Sequence, residues 1–166
     1  LRLKIAEKLE LMDENVFAFC WVTEFPLFEY DEDGGKLNAV HHPFTAPIKE
    51  HLELLDKEPE KVLSDAYDVV LNGCEVGGGS IRIHDQGLQA KIFKTLGISD
   101  EDAESRFGHI LKAFGYGVPP HGGIAWGLDR LIMIFQNEPN IREVIPFPKD
   151  QQARELMLGA PSEVPM

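Results

Sequence analysis

The sequence predicts an α+β fold in which helices flank an antiparallel sheet. Runs rich in β-branched and aromatic residues outnumber the helical stretches that could act as crossovers. Several of those runs follow one another directly, as antiparallel strands do, whereas parallel neighbours need a long crossover between them. The composition is globular, 43% hydrophobic and 9% aromatic over 166 residues, enough to bury the core of one domain.

Each element follows from its residues. Positions 2 to about 12 alternate charged and apolar groups as an amphipathic helix does, with no secretory h-region. NVFAFCWVTEF (15–25) is too apolar and β-branched for an exposed helix and reads as a buried strand. DEDGG (31–35) is a turn, and KLNAV (36–40) pairs back across it. HHPFTAP (41–47), with two prolines, is an ordered loop, and one or two short surface helices follow to about residue 65. AYDVVLNGCEV and GSIRIHD read as two strands joined or bent at the glycines.

QGLQAKIFKTLG is a helix stopped at Gly97, and Ser99 with Asp102 forms a variant capping box. The helix so opened carries Ala103, Phe107, Ile110, Leu111 and Phe114 on one stripe. GYGVPPH ends it, and GGIAW is a short strand. LDRLIMIFQN is a helix with Leu128, Leu131, Ile132 and Phe135 facing inward. NIREVIPFPKD and a final short helix close the chain.

The formal net charge of −12 excludes this surface as the main grip on a phosphate backbone. No apolar run reaches the 18 or so residues of a membrane span. Cys20 and Cys74, far apart in apolar runs, read as buried free thiols of a reducing cytoplasm.

NGCEVGGGSIRIHD (72–85) concentrates the chemistry. Alternate strand residues share a face, so Ser80, Arg82 and His84 lie together, with Ile81 and Ile83 turned to the core. Asp68 precedes Glu75 by seven residues, and a bulge at Gly73 would bring both carboxylates to one face. Such a pair needs a compensating cation, Mg²⁺ bridged to substrate phosphates being the usual one. Alternatively, Arg82 pairs with Glu75 across the sheet and no ligand is involved. The glycines do not make a Walker loop: no Lys-Ser/Thr follows them, and they run into a strand.

In GGIAWGLDRLIMIF, Arg130 falls in the first turn of a helix, where the macrodipole disfavours a cation. A phosphate drawn to the same helix start would explain it, and so would a surface salt bridge with Asp129 or a neighbour. In HHPFTAP the adjacent histidines diverge and chelate poorly; one of them can donate to a polar ligand or simply be structural.

Taken in order, HHPFTAP, AYDVVLNGCEVGGGSIRIHD, YGVPPHGGIAWGLDRLIMI and NIREVIPFPK resemble bacterial-type aspartyl-tRNA synthetases, over essentially the whole chain. GLDR after a Gly-rich strand looks like motif 3 of class II synthetases, whose catalytic fold is an antiparallel sheet flanked by helices. By that resemblance Arg82 binds the side-chain carboxylate of L-aspartate, with His41, more than His42, near the same ligand. Asp68 and Glu75 match the acidic pair that meets ATP through Mg²⁺. Arg130 holds the γ-phosphate, and Gly127, Leu128 and Asp129 line the nucleotide site. The resemblance implies formation of aspartyl-adenylate and its transfer to tRNA(Asp), by a cytoplasmic protein that is a homodimer at full length.

Motif 1, motif 2, the insert domain and the anticodon-binding domain are not found in the sequence. Residues 1–166 therefore read as the C-terminal part of a class II catalytic domain, inactive by themselves. Two other functions are compatible with the motifs: an ammonia-dependent asparagine synthetase of the same fold, and a non-catalytic module reusing the half-fold.

Overall fold

The Asn-Gly pair at 72–73 closes the hairpin around which the sheet is built. Both residues hold positive φ, 49° and 81°, as a two-residue type I′ turn requires. The computed structural model describes residues 1–13 and 15–163 and divides into two compact units.

The larger unit, Ala18–Trp126, holds every strand of the main sheet. These are β1 (Phe19–Val22), β4 (Ala66–Leu71), β5 (Cys74–Ile81) and β6 (Gly122–Trp126), in the order β1-β4-β5-β6 and antiparallel throughout. A separate hairpin joins β2 (Phe28–Asp31) to β3 (Lys36–Ala39) across the 31–35 turn. Two 3-10 helices, Lys49–Asp56 and Pro59–Lys61, occupy the charged stretch, as expected.

The chain bends at Asn72-Gly73, not at the glycine triplet. Gly77, Gly78 and Gly79 lie inside β5 and pair with both neighbouring strands. Each excludes a side chain for a different reason. A Cβ on Gly77 would press on the Trp126 ring at 3.0 Å, and one on Gly79 would run into the Gly123 carbonyl oxygen. Tyr67, paired with Gly79, donates its hydroxyl hydrogen to that same oxygen at 3.0 Å. The triplet is thus a packing device in a continuous strand, not a hinge.

Helix α2 (Gln86–Thr95) starts at Asp85, whose carboxylate accepts the Leu88 N–H at 2.7 Å. It ends at Gly97, φ 70°, where Gly97 and Ile98 N–H reach the Lys94 and Phe93 carbonyls, a Schellman motif. Helix α3 (Asp100–Phe114) is capped by Ser99, which accepts the Asp102 N–H at 3.1 Å. The Asp102 carboxylate answers by accepting the Ser99 hydroxyl at 2.9 Å. The core gathers Leu27, Phe28, Leu55, Val62, Ile83 and Ile92 from β2, the 3-10 region, the β5 extension and α2. Phe107 on the expected α3 stripe stacks on Phe93, and Phe44 meets both rings edge-on.

The smaller unit contains Leu1–Phe17 and Gly127–Met166. Among the described residues its helices are α1 (Arg2–Lys8), α4 (Leu128–Phe135) and a 3-10 turn, Ile141–Glu143. The first is shorter than its charge pattern predicts; Glu10, at φ 52°, leaves helical geometry. Phe17 packs edge-on against Phe135, ring centres 5.3 Å apart.

Several expectations are corrected. β1 is not buried: it is an edge strand, and Trp21 is 64% exposed. Cys20 on it is exposed too and Cys74 is half-buried, so neither is the buried thiol expected, although both are free. Leu128, Ile132 and Phe135 do not face inward, since no residue of α4 is buried. No helix forms over 151–163. Instead the buried Glu155 carboxylate accepts the Met157 and Leu158 N–H groups at 2.7 and 2.6 Å and holds a tight turn. Positions 164–166 of the expected final helix lie outside the described residues. Among the described residues no helix is long and apolar enough to cross a membrane.

Candidate active site

Asp68 and Glu75 do share a face, for a reason other than the one the sequence indicates. The β4–β5 register runs Asp68↔Gly78 and Val69↔Gly77, then shifts to Val70↔Glu75. Val76 is the extra residue, a bulge on β5 that moves Glu75 onto the face of Gly78. A Cβ built on Gly78 would lie 2.5 Å from Asp68 Oδ1 and 3.7 Å from Glu75 Oε1. The two carboxylates therefore converge over a bare stretch of backbone that any larger residue would fill.

Arg82 stands where β5 leaves the sheet. Its N–H donates to the His121 carbonyl at 2.9 Å, and its neighbours are tied to the 44–46 segment. Ala46 donates to Ile81, and Ile83 donates to Phe44. Ile83 is buried in the core as expected, but Ile81 is 38% exposed. Ser80, on the Gly78 face, is buried, and its hydroxyl has no hydrogen-bond partner. His84 is exposed.

The guanidinium of Arg82 meets His42: Nη1 lies 3.2 Å from Nδ1. That same Nδ1 accepts the Phe44 N–H at 3.2 Å. With two donors facing it, Nδ1 is the acceptor nitrogen and the neutral ring carries its proton on Nε2. Burial holds the His42 pKa below the ordinary histidine value, with the Arg82 charge and then His41 adding to the effect. His41, the neighbour favoured by the sequence, is exposed and packs edge-on against Phe25, 5.2 Å between ring centres. Of the two histidines, His42 is the one in contact with Arg82.

His42, Phe44, Arg82, Phe114 and His121 line a cavity of about 340 Å³. A separate cavity of about 290 Å³, between α2 and α3, is lined by His84, Gln89 and Glu104 and holds none of the ligand-binding candidates. In the smaller unit Gly127 is the N-cap of α4, and Leu128, Asp129 and Arg130 form its first turn, as expected.

Residues 2–151 match the family model for tRNA synthetases class II (D, K and N). The chain belongs to this family. It is 57% identical over 164 residues to an aspartate–tRNA ligase of Macrococcus caseolyticus, and 58% identical over 164 residues to an aspartate–tRNA(Asp/Asn) ligase of a Thermoanaerobacter species. Each alignment takes in 99% of this chain and 28% of the relative. An aspartyl tRNA synthetase from Entamoeba histolytica superposes with a TM-score of 0.62 at 27% identity, covering 90% of this chain and 26% of that one. An asparaginyl-tRNA synthetase from the same organism gives 0.61 at 20% identity over 92% and 28%, a likeness of fold.

The class II chain thus has the antiparallel sheet and flanking helices expected for it, and spans just over a quarter of the length of those relatives. Three features of the site escaped the sequence reading. The Asn-Gly turn had a plain local signal. The bulge had one in the Asp68–Glu75 spacing, which did not place it at Val76, and the His42 contact had none.

Proposed function

We propose that this chain is the C-terminal part of the catalytic domain of an aspartate–tRNA ligase. In this reading the whole protein joins L-aspartate to ATP as aspartyl-adenylate and passes the aspartyl group to the 3′ end of tRNA(Asp). The observation that carries it is the Arg82 guanidinium, held by a neutral His42 at the rim of a cavity. A planar cation with a fixed orientation suits bidentate binding of the substrate's side-chain carboxylate. His41, the exposed chain neighbour of His42, is the second group of this subsite in this reading.

Asp68 and Glu75 fit a Mg²⁺ ion bound together with ATP. The two carboxylates converge over Gly78, and among the described residues no group of three or more His, Cys, Asp or Glu stands ready to cage a metal. Two protein oxygens, with water and phosphate completing the shell, is the ordinary arrangement for this ion. When bound, it neutralises phosphate charge. Arg130, in the first turn of α4 with Gly127, Leu128 and Asp129, binds the γ-phosphate.

The α-carboxylate oxygen of aspartate attacks the α-phosphorus, and the bond to the leaving pyrophosphate breaks. A terminal ribose hydroxyl of the tRNA then attacks the acyl carbon and releases AMP. No protein nucleophile is needed; the residues orient the reactants and offset charge. With a net charge of −12, this segment leaves most tRNA contacts to other parts of a cytoplasmic homodimer. Neither an asparagine synthetase nor a non-catalytic module has comparable support, since the relatives at 57–58% identity carry tRNA-ligase names.

Aspartate-dependent ATP–pyrophosphate exchange by the full-length protein tests this function. The 166-residue chain alone should give no exchange, since the reaction draws on residues in the remainder of a protein of the relatives' length.

A further inference from the structure

Gln89 on α2 is a polar side chain only 4% exposed. Its Nε2 donates to the Pro43 carbonyl oxygen at 2.8 Å. A carbonyl can only accept, so this bond sets which way the amide points. The other end, Oε1, is buried without a hydrogen-bond partner. An amide kept with its acceptor unsatisfied carries a desolvation cost that an apolar side chain would avoid. What the position gains in return is the grip on Pro43.

Pro43 lies beside His42, in the turn where Thr45 N–H returns to the His42 carbonyl at 3.1 Å. The far side of that turn is already fastened. Phe44 sits among Phe93 and Phe107, and its carbonyl accepts from Ile83. Gln89 fastens the near side, one residue from the imidazole whose Nδ1 meets Arg82.

We infer that Gln89 is a positioning residue for Arg82. By holding Pro43 it keeps the His42 ring turned so that Nδ1 faces the guanidinium. The inference rests on Arg82 being the carboxylate-binding group.

The test uses the full-length ligase containing this segment, with steady-state ATP–pyrophosphate exchange. Gln89→Met keeps the length and removes the bond. It should raise the KM for aspartate about tenfold, leave the KM for ATP and kcat within about twofold, and move Tm by less than about 4 °C. Should that variant not fold, Gln89→Glu decides. Its acid form can donate to Pro43 and its carboxylate cannot, and burial raises a carboxyl pKa toward neutrality. Its aspartate KM relative to wild type should therefore fall at least about threefold between about pH 8.5 and pH 6.5. Equal rises in both KM values, an unchanged aspartate KM, or a flat Gln89→Glu ratio would overturn the inference. Arg82→Ala separates the two levels. If it leaves the aspartate KM unchanged, the carboxylate reading falls and this inference with it. If it raises the aspartate KM while Gln89→Met does not, only the inference about Gln89 falls.

Discussion

Nη1 of Arg82 and Nδ1 of His42 stand 3.2 Å apart, although 40 positions separate them in the chain. The contact ties the guanidinium to the loop that carries the two histidines.

Replacing Arg82 should abolish aspartate recognition without unfolding the protein. Arg82→Ala should raise the aspartate KM by about 100- to 1000-fold, about 3–4 kcal/mol of lost binding. Arg82→Lys should recover little of it, since an ammonium cannot make the paired bonds of a guanidinium. Initial rates against aspartate at saturating ATP measure both, and a normal aspartate KM in Arg82→Ala removes this residue from the site.

Aspartate binding should weaken in acid. Protonation of His42 puts a second cation against Arg82 and removes the acceptor. Stability follows the same direction. The folded pKa lies below the unfolded value of about 6.5, so as pH falls through 6.5 the unfolded chain takes up the proton first. Stability is thus greatest above that pH and declines toward the folded pKa. His42→Asn keeps an acceptor near the Nδ1 position and cannot titrate. Its aspartate KM should stay level between about pH 7.5 and pH 5.5 while that of wild type climbs; parallel profiles would dissociate His42 from the effect.

Asp68→Asn and Glu75→Gln should each raise the Mg²⁺ concentration for half-maximal exchange about tenfold, equivalent to about 1.4 kcal/mol. The aspartate KM should change little. A Mg²⁺ titration at fixed ATP reads this, and unaltered midpoints in both variants would take the pair out of metal binding.

The β5–β6 contact should tolerate nothing beyond hydrogen at position 79. Gly79→Ala forces a methyl into the Gly123 backbone and should cost more than about 3 kcal/mol. Tyr67→Phe, which removes only the hydroxyl bond, should cost about 1 kcal/mol. Gly123→Ala, whose Cβ would find nothing within 4 Å, is the control and should stay within about 0.5 kcal/mol. Urea midpoints give the order, and a harmless Gly79→Ala would show that the strands can part.

Part of the site's geometry was legible one residue at a time. Alternation along β5 put Ile83 in the core but missed the exposure of Ile81 and the burial of Ser80, and the seven-residue gap from Asp68 to Glu75 signalled a bulge. The bulge itself sits at Val76 because Asn72 and Gly73 were already used as the turn. The identity of the histidine at Arg82 was not legible, because His41 and His42 have nearly the same local sequence surroundings.

The sequence alone determined what short-range chemistry can specify. It set the antiparallel α+β class, the caps at Asp85 and Ser99, the stop at Gly97, and the synthetase family. Tertiary structure alone decided the inward choice of His42, the clamp from Gln89 and the outward exposure of β1. Those depend on which distant surfaces meet. A cap or turn closes its hydrogen bonds within a few residues, whereas the pose of His42 is settled by Arg82 and an α2 amide more than 35 positions away.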